Sequence, residues 1–205
     1  MHQTRVVVAQ YSRRDGRWRI RRLMGNHRSA TGNNLSMSFE LNILVGTMTG
    51  IAQLVAQEIE LRLDGEGMVV HTLEMDELDP GVFDRDGIFL ICTSTYGQGD
   101  VPDNAKDLYD ALCTQRPDLS HVRYGVFALG DRTYGETFCF GGKRFDEILG
   151  QLGAHRIGDV FLHDASSGIL PEDEAAEWVE GWIAQCNGPA GSDAAAKDHP
   201  NGAQG

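Results

Sequence analysis

From Leu41 to Cys186, short apolar runs take turns with longer stretches in which apolar residues recur every three or four positions. Leu41–Gly46 reads as a strand, and Ala52–Leu63 follows with Leu54, Val55, Ile59 and Leu63 at helical spacing. Met68–Leu73 predicts a second strand. Gly87–Thr93 is almost continuously apolar, the pattern of a central parallel strand covered on both faces. A helix over about Asn104–Cys113, a strand over Tyr124–Leu129, a helix over Gly142–Leu152 and a fifth strand over Ile157–Leu162 continue the series. In the last helix, Pro171–Cys186, residues Ala175, Trp178, Val179, Trp182, Ile183 and Cys186 share one face. Both tryptophans are therefore expected to anchor the core. Strands alternating with helices specify an α/β fold, a doubly wound parallel sheet of five strands with right-handed crossovers and helices on both faces.

The ends of the chain break this rhythm. Residues 1–36 hold eight arginines against one acid, Asp15, and show no sustained apolar period beyond Val6–Ala9. No hydrophobic segment follows the arginines, which argues against a secretory signal. We expect a basic N-terminal extension, disordered on composition, with Met37 as a natural start; a basic arm or a targeting peptide are the other readings. Residues 187–205 are Gly, Ala, Ser, Asp and Asn with little to bury, and read as a disordered tail.

Charge sharpens the division. The chain carries a net −12, and residues 1–36 contribute about +7, so the remainder carries −19. A surface this acidic repels nucleic acid and anionic membrane and draws in basic partner surfaces. No apolar run approaches the roughly 18–20 residues of a membrane span. The four cysteines, Cys92, Cys113, Cys139 and Cys186, include no C-x-x-C pair, so zinc, iron–sulfur and thioredoxin-like chemistry lack their spacing. Reduced, mostly buried thiols and a cytoplasmic location are expected.

In an open α/β sheet a ligand sits beyond the carboxyl ends of the strands, where strand order reverses. The segments there are Thr47–Ala52, Ser94–Asn104 and Leu129–Phe140. The first, Thr47-Met48-Thr49-Gly50-Ile51-Ala52, runs straight into a helix. Hydroxyls, glycine and free amides at a helix N-terminus suit an anion, although capping by Thr47 or Thr49 accounts for the pattern equally well. It is neither GxGxxG nor a P-loop, and it contains no Lys or Arg. The second, Ser94-Thr95-Tyr96-Gly97-Gln98-Gly99, places an aromatic beside two glycines at a strand end. The third, Leu129-Gly130-Asp131 through Tyr134 to Phe138-Cys139-Phe140, does so again. Two tyrosines from neighbouring strand ends can sandwich one flat ring while the first loop holds a phosphate.

The stretches TSTYGQGDVPDNAKDLYDAL and YGVFALGDRTYGETFCFGGKRFDEILGQLGAHRIGD resemble the flavodoxin domains of sulfite reductase flavoprotein and the diflavin reductases. Length and the PEDEAAEWVEGWI ending resemble the free-standing MioC-type flavodoxins. The resemblance covers about 38–186 and implies a flavodoxin-like sheet in the order 2-1-3-4-5 with FMN as cofactor. It further implies that Thr47, Thr49, Gly50 and Ala52 hold the ribityl phosphate, with Met48 and Ile51 in the same turn. Tyr96 and Tyr134 would flank the isoalloxazine, while Gly97 and Gln98 present backbone groups to its edge. Ser94, Thr95, Gly99, Leu129, Gly130, Asp131, Phe138, Cys139 and Phe140 would complete the pocket, and Asp164 falls at an acidic position after the fifth strand. Ile51 stands where the family pattern has a hydroxyl, and losing one donor costs about 1 kcal/mol, so weakened FMN retention is expected.

The implied function is single-electron transfer from a flavin reductase to an acceptor enzyme, by a monomer whose partners are basic-surfaced redox proteins. A phosphate held without cations in so acidic a domain disfavours further negative charge and lowers the potential. No residue reads as an acid, base or nucleophile. His71, His121, His155 and His163 are scattered and read as structural or exposed. An NAD(P)H-dependent FMN quinone reductase on the same fold is the alternative, although no nicotinamide motif is visible. A receiver domain lacks its acidic cluster, and a domain that has lost FMN would be a binding module.

Overall fold

The computed structural model describes residues 9–14, 17–22, 39–64 and 68–186. It divides into two units, residues 1–37 and 38–205. In the first, strands β1 (Ala9–Arg14) and β2 (Arg17–Arg22) pair antiparallel, with Arg14 opposite Arg17. The sequence between them is Asp-Gly, a dipeptide that favours two-residue hairpin connections. The basic segment thus includes a paired region where composition suggested none. The expected tail, residues 187–205, lies outside the described residues.

The second unit follows the predicted alternation. It contains β3 (Phe39–Gly46), α1 (Ile51–Leu63), β4 (Met68–Glu74), β5 (Ile88–Thr93) and α2 (Asp103–Gln115). After these come β6 (Arg123–Gly130), α3 (Phe140–Gln151), β7 (His155–Arg156), β8 (Phe161–Asp164) and α4 (Pro171–Cys186). Every pairing in the sheet is parallel, and the order is β4-β3-β5-β6, with β7 and β8 sharing the far side of β6. Counted from the first strand of the unit, this is 2-1-3-4-5.

The fifth position differs from the sequence expectation. One strand over Ile157–Leu162 becomes two short ones, because β6 advances from Tyr124 to Phe127 while the edge runs from Arg156 to Phe161. Gly158, at φ +71°, carries the excess chain outward. The carbonyl of Ile157, freed by this detour, accepts the indole N–H of Trp182 at 2.9 Å.

Alternate residues of the buried strands feed two cores. Leu41, Ile43, Val45, Leu90, Cys92, Phe127 and Leu129 pack with α1 and α4 on one face. Leu44, Phe89, Ile91, Tyr124, Val126 and Ala128 pack with α2 and α3 on the other. Trp182 is 1 % exposed, and Trp178 stacks on it while meeting Phe127 edge-on. Both tryptophans anchor the core as expected. Gly125 lies beneath Trp182, where an added Cβ would stand 2.5 Å from the indole.

Gly125→Ala is therefore expected to force the indole off its seat and cost about 1–3 kcal/mol, read as a lowered urea midpoint with an unchanged slope.

Candidate functional site

The site begins where β3 ends. Gly46 lies against Thr93, so the first two loops start in contact, and the Ser94 N–H donates to the Gly46 carbonyl at 2.9 Å. The Thr47 hydroxyl accepts the Gly50 N–H at 2.9 Å, closing a turn in which Gly50 takes φ +83°. Open space surrounds the position of a Cβ at Gly50. The first amides of α1 have no acceptor within the helix and face outward from this turn.

Asn104, in the first turn of α2, ties the loop down. Its Oδ1 accepts the Thr47 N–H at 2.8 Å, while its amide donates to the Val45 carbonyl and to Glu74. Burial, reinforced by Asp76, raises the Glu74 carboxyl above the ordinary carboxylate value.

The second loop folds back on itself. Tyr96 and Asp100 exchange backbone hydrogen bonds across Gly97-Gln98-Gly99, and both glycines have positive φ. The Thr95 hydroxyl donates to the Leu129 carbonyl and accepts the Gly141 N–H, each at 3.1 Å, which locks the second loop to the third. In the third loop, Asp131 caps Thr133 through its N–H at 2.8 Å and its hydroxyl at 2.5 Å, and this turn presents Tyr134.

A cleft of about 760 Å³ opens between these loops, in the size range of a cofactor site. Of the expected residues it is lined by Ile51, Ser94, Thr95, Tyr96, Gly97, Leu129, Gly130, Asp131 and Tyr134. Tyr96 and Tyr134 are 48 % and 71 % exposed, so both rings retain free faces. Thr47, Met48, Thr49 and Gly50 lie in the turn immediately before Ile51, outside the cleft wall. Ala52 is buried beneath them, and its carbonyl accepts the Cys92 thiol. Gln98 is exposed at the loop tip, and Gly99 is packed under the half-exposed ring of Phe140.

Phe138 and Cys139 turn inward. Phe138 is covered by the Arg132 guanidinium at 4.6 Å and approached by Lys143. Cys139 is fully buried with its thiol against the Ala128 and His163 carbonyls, and burial pushes its pKa up to about 12. This thiol is a packing group.

The remaining wall of the cleft comes from β8 and the loop into α4, including His163, Ile169, Leu170 and Glu172. Of this region the sequence pointed to Asp164 near the site and read His163 as structural or exposed. The Asp164 carboxylate accepts the Arg132 and Ser166 N–H groups and pairs with the Arg132 guanidinium, contacts that hold it below the ordinary value. The signal that could have found the rest is topological, because any loop leaving the fifth strand's carboxyl end must face the same crevice.

An exposed helix N-terminus, two tyrosines with free faces and a cleft at the sheet's switch point are the features expected of a protein of the flavodoxin class. The comparisons agree. The Flavodoxin family model matches residues 43–178. Flavodoxin YqcA of Escherichia coli is 42 % identical over 143 residues, covering 70 % of this chain and 95 % of that one. The sulfite reductase [NADPH] flavoprotein alpha-component of Bacillus subtilis is 38 % identical over 78 % of this chain but 26 % of its own length. Among solved structures, a cysteine-to-alanine mutant of flavodoxin from Pseudomonas aeruginosa superposes with a TM-score of 0.66 at 34 % identity. It covers 73 % of this chain and 100 % of that one. The chain belongs to the flavodoxin family of FMN-binding electron carriers.

Burial of the Cys139 thiol has a measurable consequence. Its folded-state pKa stands above the ordinary 9.0, so the unfolded chain releases this proton first. The associated stability is complete below about pH 9 and declines toward about pH 12. Urea midpoints measured from pH 8 upward should fall, and less steeply for Cys139→Ala.

Proposed function

We propose that residues Thr47–Ala52 hold the ribityl phosphate of FMN and that Tyr96 and Tyr134 flank its ring, in a protein that passes single electrons from a flavin reductase to an acceptor enzyme. The observation that carries this reading is the cleft itself, which joins the two tyrosines to the first turn of α1. Bound FMN supplies reversible one-electron chemistry.

The protein's part is to hold, orient and shield. Amides at the start of α1 offer donors to a phosphate, and the helix dipole favours its charge. Gly50 leaves the approach open. Thr47 spends its acceptor lone pair on the Gly50 N–H, so its hydroxyl proton is still available to a ligand. Ile51 supplies a methyl-bearing wall in place of a donor. Leu129, 5 % exposed, gives the cleft an apolar floor, and the Thr95 bonds keep the tyrosine-bearing loops in fixed register.

Asp131 and Glu172 line the cleft, and neither Lys nor Arg does so. Together with the −19 charge of the chain beyond residue 36, this supports basic-surfaced redox partners; a monomer in the cytoplasm is part of the same proposal. Among the described residues no helix is long and apolar enough to cross a membrane.

Fluorescence titration of the apo-protein with FMN tests the site. Tyr96→Ala and Tyr134→Ala should each weaken binding about tenfold, roughly 1.4 kcal/mol. Ile51→Thr should tighten it by about fivefold through a new donor. Unchanged affinity in both tyrosine variants would overturn the assignment. A separate check concerns partners: the rate at which a basic flavin reductase reduces the protein should drop steeply between about 0.01 and 0.5 M salt.

A further inference from the structure

The cleft occupies the carboxyl ends of the strands, and one long side of the sheet is open as well. Among the described residues β4 pairs with β3 alone, so its outer row of backbone donors and acceptors faces away from the sheet. The register with β3 runs unbroken from Met68 to Glu74. Edge strands are ordinarily blunted by a bulge, a proline, a lysine or shortness. β4, with the seven-residue sequence MVVHTLE, has none of these.

Beside this edge lies a groove of about 680 Å³, walled by Met68, Val69 and Val70 of β4 and by the last two turns of α1. From α1 come Gln57, Glu60, Leu61 and Asp64, which recur at helical spacing and form a stripe outside the core. Leu61 is 70 % exposed and Val69 40 %. The Thr72 hydroxyl donates to the Glu60 carboxylate at 3.1 Å and so holds that acid over the strand. On the other face of the edge, Glu40 of β3 lies opposite Val69, with its carboxylate 3.7 Å from Nε2 of His71. No Lys or Arg lines the groove, and the nearby Arg62 is paired with Glu180 of α4.

These features select an occupant. A row of free backbone groups requires an extended chain. Leu61 and Val69 require apolar contact, while Glu60 and Asp64 require cations. A lysine or arginine side chain meets both demands, laying its methylenes on Leu61 and its charge against the acids. A second copy of this chain has the wrong chemistry. Its own Glu60 and Asp64 would come to the same edge, in a chain that carries −19 beyond residue 36.

We propose that β4 is a docking edge for another protein, which adds an extended segment of alternating basic and apolar residues to the sheet as a further strand. The groove and the cleft share no residue: Ile51 and Leu54 of α1 line the cleft, and Gln57 to Asp64 the groove. A partner held along β4 leaves the cleft open. This surface is independent of what the cleft holds.

The test is an NMR titration of the ¹⁵N-labelled full chain with an end-blocked peptide of alternating lysine and valine, matched to the seven residues of β4. Saturable shifts are expected in the amides of residues 57–64 and 68–74, with those of the cleft loops unmoved. A peptide of alternating glutamate and valine should bind about tenfold more weakly. The double variant Glu60→Lys, Asp64→Lys should reverse that preference, a gain that loss of folding cannot imitate. An added strand bonds the sheet through alternate amides. N-methylation of the lysine amides or of the valine amides should therefore abolish binding in one peptide and spare it in the other. Equal effects of the two methylation patterns, or no saturable shift along β4, would overturn the proposal. So would a concentration-dependent dimer in sedimentation that Leu61→Lys dissolves, because the edge would then belong to a second copy.

Discussion

The structure depends on a reversal of strand order across the sheet: chain order runs one way from β3 to β4 and the other way from β3 to β5. Right-handed crossovers then send α1 and α4 to one face and α2 and α3 to the other, and the helices cannot close over the carboxyl ends between them. A crevice at that point follows from topology before any side chain is considered. What this sequence adds is bracing. Asn104 bonds the first loop from α2, Gly46 seats against Thr93, and Thr95 bonds both Leu129 and Gly141. Four separate chain segments thereby hold one rim, and the tyrosines are carried by loops that are pinned on both sides.

The donor set in that rim is sparse in a definite way. Thr47 uses its lone pair to shape the turn, Ala52 is turned under the helix, and Ile51 offers hydrocarbon. A phosphate there relies on backbone amides and the helix dipole. The same economy appears in the charges, since the wall contains Asp131 and Glu172 and a single residue able to become positive. Sparse grip and acidic surroundings arise from the same choice of residues, and under the proposed reading the cofactor would be held by shape and stacking more than by ion pairs.

Most elements were legible from spacing because each buries one continuous face: α4 with its two tryptophans and β5 with six buried residues in a row. The fifth strand was less so. Periodicity across Ile157–Leu162 does not register that β6 spends fewer residues over the same distance, or that Gly158 turns the chain out. At the site, Tyr96 and Tyr134 stood out because an aromatic among glycines at a strand end has little to bury against. Phe138 and Cys139 have the same setting in sequence, yet they turn inward because Cys139 takes φ +57° at the start of α3. His163 was read as structural or exposed, and its pairing was hidden for the opposite reason. Its partner Glu174 is eleven residues away, and only the docking of α4 beside β8 brings them together.

The central claim is that this cleft binds a flavin by its ring and its phosphate together. The most direct measurement is a pair of titrations of the apo-protein, one with FMN and one with riboflavin, which shares the ring but lacks the phosphate. The account predicts saturable binding of about one FMN per chain, with riboflavin weaker by tenfold or more. Equal affinity for the two would remove the phosphate site at α1, and binding of neither would contradict the account as a whole.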